Sequence, residues 1–178
     1  MSLLPKQNYR FNREIPLPAG LIHGQSLGAV SGMKFGLSNM SRSGCEVIAV
    51  YNALLLHHRP AAFLEIARYM ERFRVLLGFF GCNAYRIGKA LKHFGVEFRR
   101  TKAPDKAKAF IITFWTKKPF LSTIHTVFCV KQWNGILVYN RYNSCTSEEL
   151  CRNLEEVAGK RRPIAVYEIV ESGEGSRL

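Results

Sequence analysis

The chain is predicted to be an α+β protein, with its helices in the N-terminal half and an antiparallel sheet in the C-terminal half. Two observations carry this. The apolar residues recur with helical spacing as far as about Gly95, and beyond it they alternate in pairs, as in strands. A third fixes the pairing: Asn134-Gly135, the strongest short hairpin signal, joins two alternating runs. Segregation of this kind places N-terminal helices on a C-terminal sheet. The length of 178 residues suits one domain over 1–178, and 47% hydrophobic content excludes a disordered chain.

Taken in order, residues 1–38 are rich in Pro, Gly, Ser and Asn and read as an arm and loops. Cys45 then opens an apolar helix reaching about His57, with Ser43 or Gly44 as cap. Pro60 suits the start of a second helix, with Phe63, Ile66, Ala67, Met70 and Phe73 on its inner face. Asn83 caps a third, with Ala84, Ile87, Leu91 and Phe94 inward and Gly95 as its stop. Strands follow over 96–100, 109–115, 124–131 and 136–142. The run Thr146-Ser147-Glu148-Glu149 reads as a capping box opening a helix that ends near Gly159. A strand from Pro163 to Val170 and a tail over 171–178 complete the chain.

The net charge of +13 reads first as a solvated basic surface that serves solubility and second as a surface for an anionic partner. The basic residues are scattered and lack an aromatic-basic signature, so nucleic acid is disfavoured. No run is long and apolar enough for a membrane span, and the N-terminus lacks a signal-peptide core, so a cytoplasmic protein is expected. Five cysteines (45, 82, 129, 145 and 151) without a C-x-x-C pair fit free thiols; no metal site and no cofactor are expected.

Cysteine chemistry needs a thiolate, an imidazole to exchange its proton, and a group that orients the imidazole. At a helix start, unpaired N–H groups and the helix dipole favour a thiolate, which selects Cys45. Cys82 is the rival; Cys129 and Cys151 read as packed, and Cys145 as a loop thiol. Among the histidines, His125 lies on a strand between apolar residues, where an imidazole needs a polar partner. His23, His57, His58 and His93 sit in a loop, at a helix end or on a surface. An even residue count in the hairpin loop puts Asn140 on the face of His125, and an odd count favours Asn143. Asn39, just upstream of Cys45, carries an amide that can donate to an oxyanion.

The ordered set Asn39, Cys45, His125 and Asn140 resembles papain-like cysteine peptidases. It is most similar to the bacterial branch that removes double-glycine leaders from bacteriocin precursors, in which a Gln precedes the catalytic Cys and an Asp or Asn follows the His. The resemblance implies a papain-like fold, with Cys45 as nucleophile, His125 as general base and acid, Asn140 as orienter and Asn39 with the Cys45 N–H as oxyanion donors. It differs in Asn39, where the family has Gln, and in Glu46, where it often has Gly. A hydrolase of peptide or other amide bonds is then expected, its substrate a peptide or acyl-amide. An acyl transferase using the same residues, and an inactive papain-fold module holding an acidic partner, are the alternatives.

Overall fold

The computed structural model describes residues 3–102, 104, 107–116 and 123–170. The first element is helix α1 (Leu3–Asn12), within the stretch expected to be arm and loops. No apolar stripe marks it, because its inward face is anchored by asparagines. Asn8 Nδ2 donates to Gly36 O and to Glu71 Oε1, both at 2.8 Å. Asn12 exchanges two hydrogen bonds with the Lys34 backbone. A loop then leads to a small hairpin, β1 (Lys34–Phe35) and β2 (Ser38–Asn39), and a single turn α2 (Met40–Ser43).

The central helix α3 (Cys45–Leu56) is buried at every residue from Cys45 to Leu54. Such a helix is apolar all round because it has neighbours on every side. Mid-helix Asn52 reaches out to the loop before β1, accepting from Ile22 N and donating to Ile22 O, each at 2.9 Å. Helices α4 (Phe63–Met70) and α5 (Ile87–His93) flank it. Asn83 does cap, accepting from Tyr85 N, but the turn it opens is 3₁₀ before α5 begins.

The sheet contains β3 (Phe98–Thr101), β4 (Ala109–Thr116), β5 (Thr123–Gln132), β6 (Gly135–Tyr139) and β7 (Glu149–Cys151). Helix α6 (Leu154–Ala158) and β8 (Arg162–Ile169) end the described chain. The order is β3-β8-β4-β5-β6-β7, with every pairing antiparallel. One sheet face meets the helices, with Ile111, Phe128 and Tyr167 packed among α3, α4 and α5 residues. The other buries Phe110, Phe114, Val127 and Cys129 with Val157 of α6. The fold is thus α+β, with N-terminal helices on a C-terminal antiparallel sheet.

Two local expectations need correction. The capping box at Thr146 opens no helix: Glu149–Cys151 pairs as β7 with β6, and α6 starts only after Asn153, which accepts from Glu156 N. Asn153 is itself a good cap, and the apolar residues upstream are drawn to the sheet edge. The hairpin turn is Trp133-Asn134, one residue earlier than expected, since Gln132 pairs with Gly135. Neither turn residue has a positive φ. Gly135 is needed instead for close approach: a Cβ there would lie 2.5 Å from Cys151 O on β7. The tail expected over 171–178 lies outside the described residues.

Candidate active site

Cys45 is the first residue of α3, behind the cap Gly44. Its sulfur is buried and donates to Glu46 Oε2 at 3.3 Å. Burial pushes the thiol well above its ordinary pKa; the Glu46 charge adds to this, and the Thr126 backbone N–H opposes it. Glu46 is itself wholly buried and its Oε1 has no hydrogen-bond partner. Burial raises its carboxyl to about 7. Gly81, at φ +64°, makes room for it, because a Cβ there would lie 2.7 Å from Glu46 Oε2.

His125 is near the start of β5, opposite Phe114 of β4. By alternation it belongs to the face of Val127 and Cys129, away from α3, and it reaches the cleft because it lies at the end of its strand. Its Nε2 lies 2.6 Å from the main-chain oxygen of Asn140. Burial lowers its pKa to about 4; the Asn140 carbonyl raises it, and the charge of Arg161 lowers it further. Both the thiol and the imidazole are therefore neutral near pH 7, and no hydrogen bond joins them.

Asn140 follows β6 in a turn and lies in the left-handed region, at φ +58°. The two-residue turn does return it to the face parity of His125, yet its side chain faces elsewhere. Its Oδ1 accepts from Gln25 N at 3.0 Å and its Nδ2 donates to Gln25 Oε1 at 3.2 Å. The orienting group on His125 is thus the carbonyl of Asn140, whereas the sequence suggested its amide. Asn143 lines the cleft, and its carbonyl accepts from Ser26 N at 2.7 Å. Asn39 closes β2, and its Oδ1 accepts from the Ser41 hydroxyl at 2.8 Å. It is absent from the cleft walls, which Cys45, His125 and Asn143 share.

Gln25 is the site residue that sequence reasoning missed. It is buried, lines the cleft, and donates from Nε2 to Ser41 O at 3.0 Å. Gly24 lets its loop pass against the β6–β7 connection, where a Cβ would meet Cys145 O at 2.4 Å. The available signal was Gly24-Gln25 itself, a glycine beside an amide in a loop.

The cleft has a volume of about 730 Å³, with walls that include Gln25, Arg42, Cys45, His125, Arg141 and Arg161. A smaller cavity of about 350 Å³ adjoins it at Cys45, lined by Leu76, Phe79, Phe80 and Ile124 with Glu46. No group of His, Cys, Asp and Glu among the described residues could hold a metal ion. No helix among them is long and apolar enough to cross a membrane.

Comparison with protein-family models, with curated proteins and with solved structures returned no match. What the fold defines is a class: helices followed by a six-stranded antiparallel sheet, with a cysteine at a helix start and a histidine at a strand end lining one cleft.

Proposed function

We propose that the chain is a papain-like, cysteine-dependent hydrolase of peptide or other amide bonds. One observation carries the reading: Cys45, at the start of the buried helix α3, and His125, oriented by the Asn140 carbonyl, line the same cleft.

In this reaction the Cys45 thiol gives its proton to His125, and the sulfur attacks the amide carbon. A tetrahedral oxyanion forms, stabilised by the first-turn N–H groups of α3 and a cleft amide. Its collapse breaks the C–N bond as imidazolium protonates the leaving amine, leaving a thioester on Cys45. Water then adds to the thioester carbon, its proton passes to His125, and thiol and carboxylic acid are released. The thiol must first leave Glu46 and turn toward His125, and substrate entry supplies the occasion.

The resting bond from Cys45 to Glu46 favours a second reading, an inactive module on the same scaffold. A proteome-derived peptide mixture separates the two, with mass spectrometry reading new termini. The hydrolase reading expects cleavage by the wild type, abolished in Cys45→Ala and reduced at least a hundredfold in His125→Ala. Cleavage that survives Cys45→Ala, or none in the wild type, refutes it.

A further inference from the structure

The two cavities that meet at Cys45 differ in character. The smaller is walled by Leu76, Phe79 and Phe80 with Glu46, and it shares Arg42, Thr123 and Ile124 with the larger, so Arg42 stands where the two meet. The larger carries Arg42, Arg141 and Arg161, and no carboxylate lines it among the described residues. These cations are not equivalent. Arg141 is committed, its Nη1 pairing with Glu149 at 2.8 Å and its Nη2 donating to Glu156 O at 2.7 Å. Arg161 is held by neutral groups only: Nε donates to Ala158 O at 3.0 Å and Nη2 to Val157 O at 2.7 Å, with the guanidinium over the Phe114 ring. Among the described residues no carboxylate pairs with Arg161 or with the exposed Arg42.

A partly buried guanidinium without a counter-ion, beside the candidate general acid, attracts a carboxylate strongly, because the low local dielectric strengthens the pair. In amide cleavage the acid protonates the leaving nitrogen, so the leaving portion of the substrate lies on the His125 side. The acyl portion then falls to the apolar cavity across Cys45.

We propose that the cleft selects amides whose leaving amine carries a carboxylate and whose acyl side is apolar, with Arg161 and Arg42 as the carboxylate-binding pair. This rests on the hydrolase reading and names its substrate class: peptides with an apolar residue before the scissile bond and an acidic residue after it. Burial is the main cause that keeps His125 neutral and the Arg161 charge adds to it; a bound carboxylate offsets that added part and so favours the imidazolium that the leaving amine requires.

Three peptides that differ only in the residue after the scissile bond (Glu, Gln or Lys) test it, together with alkylation of Cys45 by iodoacetate and by iodoacetamide. The expected order of kcat/KM is Glu, then Gln, then Lys, with at least a tenfold span at low salt. That span falls at least fivefold in Arg161→Gln. Arg161 also ties down the end of α6, so the exposed Arg42→Gln provides a second variant less exposed to folding effects, in which the span again narrows. The iodoacetate-to-iodoacetamide ratio at Cys45 exceeds that for free cysteine and drops to it in both variants. Equal rates for the three peptides, or a preference for Lys, overturn the proposal. If no peptide is cleaved, the hydrolase reading fails on its own; an iodoacetate preference lost in the Arg variants still supports the carboxylate site, and its absence overturns it.

Discussion

His125 Nε2 bonds to the main-chain oxygen of Asn140, while the Asn140 side chain bridges to Gln25. Orientation of the imidazole thus depends on the path of the backbone at residue 140, which is left-handed. Asn tolerates that conformation and Ala does not, at roughly 1–2 kcal/mol. Losing the Oδ1 acceptor also strands the buried Gln25 N–H, at about 1–3 kcal/mol. Asn140→Ala therefore costs on the order of 3 kcal/mol of stability in denaturant unfolding. Asn140→Gly costs less, because it keeps the backbone conformation. In the Gly variant His125 still titrates near 4, followed by NMR of its ring protons; a return to the ordinary histidine range means that the side chain was the orienting group.

Glu46 gives the protein a stability that depends on pH with an uncommon sign. Burial raises its carboxyl from 4.5 to about 7 in the folded chain. Between those values the folded state binds more protons than the unfolded state, so stability falls as pH rises and levels off above about 7. The shift corresponds to about 3 kcal/mol lost by pH 8. Glu46→Gln removes the ionisation while keeping the shape. The variant is expected to be more stable than wild type at pH 8, with the difference shrinking toward pH 4.5, measured by urea denaturation across that range. With the Glu46 charge gone, the Cys45 thiol pKa also drops, and iodoacetamide reacts faster at pH 8.

His125 acts on the acid side. Its folded pKa, about 4, lies below the ordinary 6.5. The unfolded chain binds the extra proton between those values, so this group's contribution is intact above 6.5 and is lost as pH falls through 4. His125→Asn is expected to remove the acid-side loss due to this group, so that over pH 4.5–6.5 the opposing Glu46 slope stands alone and stability falls as pH rises, and to leave the shape above pH 7 unchanged. A variant profile parallel to wild type over pH 4–6.5 would rule out a buried neutral imidazole.

How much of this was legible in the sequence depended on whether a signal was apolar and local. Helix α3, the strands around His125 and the switch from helical to strand periodicity all follow from side-chain patterning that burial enforces. Helix α1 was hidden because asparagines dock it, and Asn8 and Asn12 bond to residues far along the chain. Segment 149–151 shows tertiary pairing overriding a local capping motif. At the site, parity correctly returned Asn140 to the side of His125, but alternation cannot say which atom of a residue faces its neighbour. Gln25 was out of reach for a similar reason. Its place beside Cys45 depends on Asn52 pinning Ile22 and on Gly24 passing the backbone of residues 143–145, contacts between segments well separated in the chain.

Under the proposed hydrolase reading, the cleft amide that would support the oxyanion can be assigned by comparing Gln25 with Asn39. Gln25 shares the cleft with Cys45 and is held between Asn140 and Ser41, whereas Asn39 bonds Ser41 from outside the cleft walls. Removing a side-chain oxyanion donor commonly lowers kcat about 10²–10³-fold. Gln25→Ala is expected to lose activity on that scale, and Asn39→Ala to lose less than about tenfold, assayed on the peptide cleaved best by the wild type. Because Gln25 also braces Asn140, its variant needs a second readout: His125 continues to titrate near 4 if the loss arises at the oxyanion, and moves upward if the loss arises from a displaced imidazole. A larger loss in Asn39→Ala than in Gln25→Ala would assign the donor to Asn39 and require its amide to turn from Ser41 into the cleft during the reaction.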